Sequence, residues 1–317
     1  MMLLGAVSPV SPDPATSFER LRHDDARLSA LGFRLFTTNA PLCRALQPEL
    51  GVVWQAIDQF DPASRVAARA AFGFESALAV EAVVPGSPAA RAGVAPNDSL
   101  VAIDGAAMPD ATSGPATTAT RDAVESRIAS LPAASPMTLT LRRGGRDRSV
   151  VARPVPGCRT ELEMVIGKGW LSDSDGVRIR IGSRFLETFD DDRVAVVLAH
   201  ELAHTVLGHR RRLDAAGARG GLAQITGRSG RLIRATEDEA DLLGVSLLYN
   251  AGYDPTSASH FWAQAGPVVD GGLVRDGTHR SPADRARRTA AEAATIPSDA
   301  SRPHFPPLMA SRDTPLH

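Results

Sequence analysis

Residues Phe72–Gly105 read FGFESALAVEAVVPGSPAARAGVAPNDSLVAIDG. Two short apolar runs, Ala77–Val84 and Ser99–Ile103, are separated by a turn and a short helix in PGSPAARAGV, and the second run ends at the turn pair Asp104-Gly105. β-branched runs bounded by Gly, Pro and Asp are strand signals, because those three residues supply the backbone angles that a strand cannot. Outward to the C-terminal side, Arg121–Leu131 has a helical pattern, and MTLTLRRGGRDRSVVARPV (137–155) reads as a hairpin turning at Gly144-Gly145. The stretch between them, MPDATSGPATTAT (108–120), reads as a loose loop. Together these assign a β-rich module to residues 71–156.

Outward to the N-terminal side, Phe18, Leu21, Leu28, Leu31 and Leu35 recur at helical intervals in SFERLRHDDARLSALGFRLFTT (17–38). A second short helical stretch is expected from NAPLC to about Ala71, so residues 1–70 read as a tail and helical segment that packs on a neighbour. The motif PGSPAARAGV…NDSLVAIDG resembles the PDZ domains of bacterial proteases. That resemblance puts Phe72, Gly73 and Phe74, within AFGF, at the carboxylate-binding loop. It implies that the backbone N–H groups there hold the free C-terminus of a peptide, which adds as a strand along residues 74–80. The competing reading is a module that only packs against its neighbour.

Beyond the module, residues 157–295 open with alternating Val177, Ile179 and Ile181, a strand with one buried face. DDDRVAVVLAHELAHTVLGH (190–209) is then a helix that Asp190 or Asp191 can cap. On it His200 and His204 lie one turn apart, so two imidazoles face one point, while Glu201 sits beside them, aimed to act as a base and not as a ligand. A zinc site needs a third ligand, and RATEDEADLLGVSLLYNAGYDP (234–255) offers one. Thr236 and Glu239 have capping-box spacing, Gly252 ends the helix, and Glu237 and Asp241 share one face. Glu237 completes a His₂Glu set for one Zn2+ per chain, and Asp241 can accept the outer ring N–H of a ligating histidine. Ordinary amphipathic and acidic helices are the bland alternatives for the two segments taken singly.

HELAH followed by EDEADLLGVSLLYNAGYDP resembles the soluble branch of the gluzincin-type bacterial metallopeptidases related to the heat-shock membrane protease and the CAAX prenyl protease. The resemblance covers residues 157–295 and maps HExxH and ExxxD onto His200, Glu201, His204, Glu237 and Asp241. It also matches His279 and Arg285 in THRSPADRAR, with Arg280 standing where the family carries proline. It implies an α+β fold, a helical zincin-type domain with a small β-sheet beside the PDZ module. It also implies a zinc endopeptidase acting on unfolded or misassembled envelope proteins, in which Glu201 moves the proton and His279 or Arg285 stabilises the oxyanion. The substrate backbone is expected to pair near Gly176–Ile181, and residues 210–235 read as a flap over the cleft or a solvated loop. The rival reading is a PDZ-based peptide-binding or chaperone-like protein with a latent zinc site.

The family's envelope location bears on the only two cysteines, Cys43 and Cys158, which flank the module. Domain termini tend to lie close together, so a disulfide between them is expected, against two free thiols in a cytoplasmic protein. A periplasmic or secreted envelope location goes with the first reading. The start, MMLLGAVSPVSPDPAT (1–16), reads either as the remnant of a signal peptide or as a floppy tail. Across 317 residues with a net charge of −1, nothing favours nucleic acid or an anionic membrane as partner, and no apolar run reaches the length of a membrane span. The two resemblances imply protein or peptide substrates as partners, and a PDZ ligand with a free C-terminus. The remaining histidines, His209 among them, carry no motif, and the Pro/Ser-rich residues 296–317 read as disordered.

Overall fold

The computed structural model describes residues 14–218, 227–269 and 279–316. Helix α1 (Pro14–Thr38) is the bridge of the molecule. Phe18 and Leu21, near its start, join an aromatic cluster with Phe60, Phe72 and Phe74, while Leu28, Leu31, Leu35 and Phe36 enter the larger core of the C-terminal region. Arg22 strengthens the first contact, donating to the Glu81 and Ala71 carbonyls.

The second helical stretch expected before Ala71 is instead broken by two strands. β1 (Leu46–Glu49) and β2 (Val52–Ala56) come first, with 3-10 turns at Ala40–Leu42 and Ile57–Gln59, and α2 (Arg65–Phe72) is the one α-helix of the stretch. Pro48 cannot supply a helical N–H, Gly51 turns the chain with φ 70°, and Val52, Val53 and Trp54 favour an extended backbone. β3 (Leu78–Val83), α3 (Pro88–Arg91), β4 (Ser99–Ile103), β5 (Ala106–Ala107), α4 (Ala119–Ala129), β6 (Met137–Arg143) and β7 (Arg146–Ala152) complete the module. Its antiparallel sheet runs β2-β3-β4-β6-β7, with β5 on β4. The hairpin turns at Gly144-Gly145 with both φ values positive, as a two-residue turn between twisted strands requires. Trp54, Leu78, Val80, Leu100, Leu139 and Leu141 pack beneath Val124 and Ile128 of α4. The module thus begins at β2, earlier than residue 71. The 108–120 loop is tied down and not loose: Thr112 donates to the Asp58 carboxylate through its N–H and its hydroxyl, and Arg65 donates to the Thr112 and Gly114 carbonyls.

β8 (Val155–Cys158) leaves the module and pairs with β1, Leu46 opposite Cys158, and the expected disulfide joins Cys43 to Cys158. The C-terminal region carries β9 (Glu161–Val165), β10 (Ser172–Ser174) and β11 (Arg178–Gly182) in the order β10-β11-β9. Its helices are α5 (Ser183–Thr188), α6 (Asp191–Leu207), α7 (His209–Ala215), α8 (Gly227–Asn250), α9 (Ser257–Gln264), α10 (Gly266–Val269) and α11 (Pro282–Ala293). β11 is central, so the edge expected at Gly176–Ile181 belongs to β10. Asp190 caps α6, accepting from the Arg193 N–H. α8 starts at Gly227, so Thr236 lies inside it and bonds back to the Ile233 carbonyl instead of capping. Of the 210–235 segment, residues 219–226 lie outside the described residues; the flanks are α7 and the first turns of α8.

The tail is not disordered. Asn250 donates to the His304 carbonyl and accepts from its N–H, Tyr249 donates to the Ala300 carbonyl, and Arg312 donates to the Leu42 carbonyl. Proline-rich segments lack regular structure but can still be pinned by side chains of the helices they cross. Among the described residues no helix is long and apolar enough to cross a membrane.

Candidate metal centre

α6 and α8 pack face to face and bring three side chains to one point. His200 Nε2 lies 3.1 Å from Glu237 Oε2 and 3.2 Å from His204 Nε2, and His204 Nε2 lies 3.5 Å from the same Glu237 oxygen. Ligands held about 2.0–2.1 Å from a tetrahedral ion stand roughly 3.3 Å apart, so this triangle has the dimensions of one face of a zinc site. Its polarity agrees. Asp241 Oδ1 is 3.0 Å from His200 Nδ1, which directs the ring proton to that side and leaves a lone pair on Nε2. Two such nitrogens and a carboxylate oxygen converging on one point are mutually satisfied by a cation. The donor set therefore fits a zinc ion.

The electrostatics follow. Burial opposes charge on Glu237, but the His204 charge and the hydrogen bonds from three imidazoles hold its pKa well below the ordinary range. Burial likewise opposes charge on Asp241, and Arg285 outweighs it, keeping the carboxylate ionised. For His200 burial lowers the pKa, while the bonds to Asp241 and Glu237 raise it to about 9. A proton and a cation thus compete for the same nitrogen.

His279 Nε2 stands 2.8 Å from Glu237 Oε2. His200, Glu237 and His279 each offer a ligand atom within 4.8 Å of the others, so His279 belongs to the centre itself and not to its rim. Arg285, expected with His279 beside an oxyanion, lines the same cleft as His200; its Nε and Nη2 donate to Asp241 at 2.7 and 2.6 Å, and its guanidinium lies 3.2 Å from the Trp262 ring centre. With 2% of its surface exposed, it holds Asp241 behind His200. Glu201 is buried and lines the cleft of about 450 Å³ that contains the triangle. Ser172, Asp173 and Ser174 of β10 line the same cleft, so the sheet edge faces it.

His209 and Arg212 carried no motif and Glu239 only a capping-box spacing, yet the structure sets them behind His204. His209 Nδ1 is 3.0 Å from His204 Nδ1, His209 Nε2 is 3.1 Å from Glu239 Oε2, and Arg212 Nη1 donates to that oxygen at 2.5 Å. Burial lowers the His209 pKa to about 4 despite Glu239. Burial would raise that of Glu239, but His209 and Arg212 hold it at about 2. Gly208 was the available signal: a left-handed residue ending α6 folds the next side chain back towards the helix.

In the β-module, Phe72 and Phe74 are buried in the aromatic cluster, and Gly73 caps α2. β3, the strand that follows them, is paired with β2 on one edge and β4 on the other, so no guest strand can join it. β2 and β7 are the two edges of that sheet, and β2 is the one that follows the Leu50–Gly51 loop. Beside it a cavity of about 140 Å³ is lined by Leu50, Trp54 and Ile128 and closed by Leu28, Phe36 and Leu162. The candidate peptide groove therefore moves from Phe72–Phe74 to β2, where Leu50 and Gly51 form the preceding loop.

Residues 79–143 match the family model described as PDZ domain. No curated protein matches the chain. Among solved structures, the chain is similar to the HtrA3 PDZ domain bound to a phage-derived ligand (FGRWV), at 22% identity over 35% of this chain and 88% of that one, with a TM-score of 0.26. The chain thus contains a PDZ domain.

Proposed function

We propose that the chain is a zinc-dependent endopeptidase of unfolded or misassembled envelope proteins, with the PDZ domain recruiting or regulating substrate. The observation that carries this reading is the triangle of His200, His204 and Glu237 atoms at 3.1–3.5 Å, with Glu201 buried in the same cleft. Zinc bound there supplies a Lewis acid that polarises a carbonyl and acidifies water. The chain's residues do the rest. His200, His204 and Glu237 hold the ion, and Asp241, fixed by Arg285, orients His200. Glu201 accepts a proton from the attacking water and returns it to the leaving amine. β10 offers its edge to an extended backbone, which binds peptides without selecting a sequence. The Cys43–Cys158 disulfide agrees with an oxidising compartment. Zinc-loaded protein should cleave unfolded casein, lose the activity to a chelator, and show none as Glu201→Gln; casein left intact by zinc-replete wild type would overturn the reading.

The closeness of His279 to Glu237 favours a second reading, a peptide-binding protein whose zinc site is latent. A fourth protein ligand would fill the position that catalysis leaves to water. His279→Ala separates the two: cleavage rises if His279 closes the site and falls if it acts on the substrate.

A further inference from the structure

We propose that His209, backed by Glu239 and Arg212, is a positioning residue that fixes the ring and tautomer of the metal ligand His204. The inference rests on the metal-centre reading above and deepens it.

The geometry begins with the chain turn. Gly208, at φ 62° and ψ 38°, ends α6 and starts α7, and this carries the His209 ring back beneath His204. The ring is 1% exposed, so both of its nitrogens need partners within the protein. They find two of different kind. One is an imidazole nitrogen, His204 Nδ1, at 3.0 Å; the other is a carboxylate oxygen, Glu239 Oε2, at 3.1 Å.

Only one proton arrangement satisfies every link once His204 ligates through Nε2. That nitrogen must present a lone pair, so the His204 proton sits on Nδ1 and is donated to His209 Nδ1. His209 then carries its own proton on Nε2 and donates it to Glu239. Glu239 accepts from Arg212 Nη1 at 2.5 Å, and Arg212, 5% exposed, also donates from Nε to the Thr314 carbonyl. If His209 were the opposite tautomer, two N–H groups would face each other at 3.0 Å and Glu239 would lose a donor.

The arrangement has a parallel on the other ligand. His200 Nδ1 meets Asp241, which a buried arginine, Arg285, holds by two bonds. Each ligating imidazole of α6 is thus backed by a carboxylate and a buried arginine. For His204 a neutral ring is interposed, between it and a carboxylate that stands on another face of α8 from Glu237. Partners of this kind set a ligand's orientation and basicity, and their loss ordinarily costs about 10–100-fold in metal affinity.

The test uses the full chain and zinc alone, titrated against a chromophoric chelator, with nitrogen-15 spectra of the histidine rings as a second readout. His209→Phe fills the space but offers no acceptor, and should weaken zinc by about 10–100-fold. His209→Asn keeps an oxygen acceptor facing His204 and should recover most of that loss. Glu239→Gln should weaken zinc by about tenfold. In the zinc-loaded wild type, His204 should be protonated on Nδ1 and His209 on Nε2. This spectrum decides the question even if His209→Phe fails to fold. Folded His209→Phe binding zinc within twofold of wild type, or His209 protonated on Nδ1, overturns the relay while the metal centre stands. Wild type that takes up no zinc overturns the metal centre and the relay with it.

Discussion

Replacing Asp241 by Asn leaves the shape of the site intact and removes one charge. Asp241 is 8% exposed and Arg285 2%, and they share two hydrogen bonds of 2.6 and 2.7 Å. Asn keeps an oxygen for His200 Nδ1–H but takes away the carboxylate charge that two bonds of the buried guanidinium meet, while the Trp262 contact stays. Stripping one partner from a buried pair costs about 3–5 kcal/mol, mainly because the remaining charge is uncompensated. Measured with chelator present, so that zinc binding does not contribute, Asp241→Asn should lower the stability of the C-terminal region by that amount. The pair also orients His200, so zinc affinity should fall by a further factor of about 10–100. The double variant Asp241→Asn/Arg285→Leu removes the stranded charge. It should regain at least about 1 kcal/mol of stability over the sum of the single changes, the coupling expected of groups in contact. It should not regain zinc affinity, because neither the carboxylate charge behind His200 nor the arginine that held it in place is restored. Denaturant titration and zinc competition on the same samples read both effects. An Asp241→Asn protein within about 0.5 kcal/mol of wild type would refute the reasoning, since ordinary surface substitutions stay inside that range.

The other expectations are checked more simply. Glu201→Gln should retain stoichiometric zinc and lose cleavage of unfolded casein; unchanged turnover would remove Glu201 from proton transfer. Glu237→Ala takes away a ligand and should sharply lower zinc occupancy, so tight stoichiometric zinc in that variant would mean that another group, His279 foremost, holds the ion. Reducing the Cys43–Cys158 bond opens a link between residues 115 apart and should cost up to ~5 kcal/mol on the chain-entropy account, read as a lower melting temperature in reductant. Glu81, fully buried, has its pKa raised by burial from 4.5 to about 7, against the Gln55 hydrogen bond and the Arg22 charge. A raised carboxylate pKa means that the folded state binds the proton more tightly, so its stabilisation is complete below about 4.5 and is lost as pH rises to about 7. Burial and the Glu81 charge raise the carboxyl of Asp25 as well, so the two titrate together, and Glu81→Gln should flatten the dependence; an unchanged pH profile in that variant would count against it.

Local signals in the sequence were sufficient wherever a segment's structure is decided by its own residues. The strand–turn–helix–strand run after Ala77, the hairpin at Gly144-Gly145 and the Asp190 cap depend on backbone preferences that neighbours seldom override. The signals failed where a distant partner decides. β1 is a strand because β8, more than a hundred residues later, pairs with it beside the disulfide. Likewise the 108–120 loop has the composition of a loose segment, and Asp58, far away in the chain, is what ties it down. The peptide groove was misplaced for a similar reason. AFGF has the look of a carboxylate loop, but its phenylalanines are consumed in packing against α1, and the true sheet edge is revealed only by strand order.

The candidate site shows the same division at closer range. His200, Glu201 and His204 were legible because one helix fixes their relative positions, and Glu237 and Asp241 because a second helix presents them on a single face. What spacing cannot give is how the two helices are turned against each other. That rotation puts Asp241 against the back of His200 and lets Arg285, which also lines the cleft, hold it there by two bonds. It also puts Glu239, two residues from Glu237 and on another face of α8, within reach of His209. His209 follows a helix-ending glycine and was unremarkable as sequence, since a histidine after a helix is ordinarily solvated. It becomes part of the centre because the left-handed Gly208 reverses the chain and because α8 is close enough to supply a carboxylate. A side chain substituted at Gly208 would be strained at its φ of 62°. Gly208→Val should therefore disturb zinc binding through His209 while leaving α6 and its three inward residues in place. Wild-type zinc affinity in a folded Gly208→Val protein would show that the turn does not govern the position of His209.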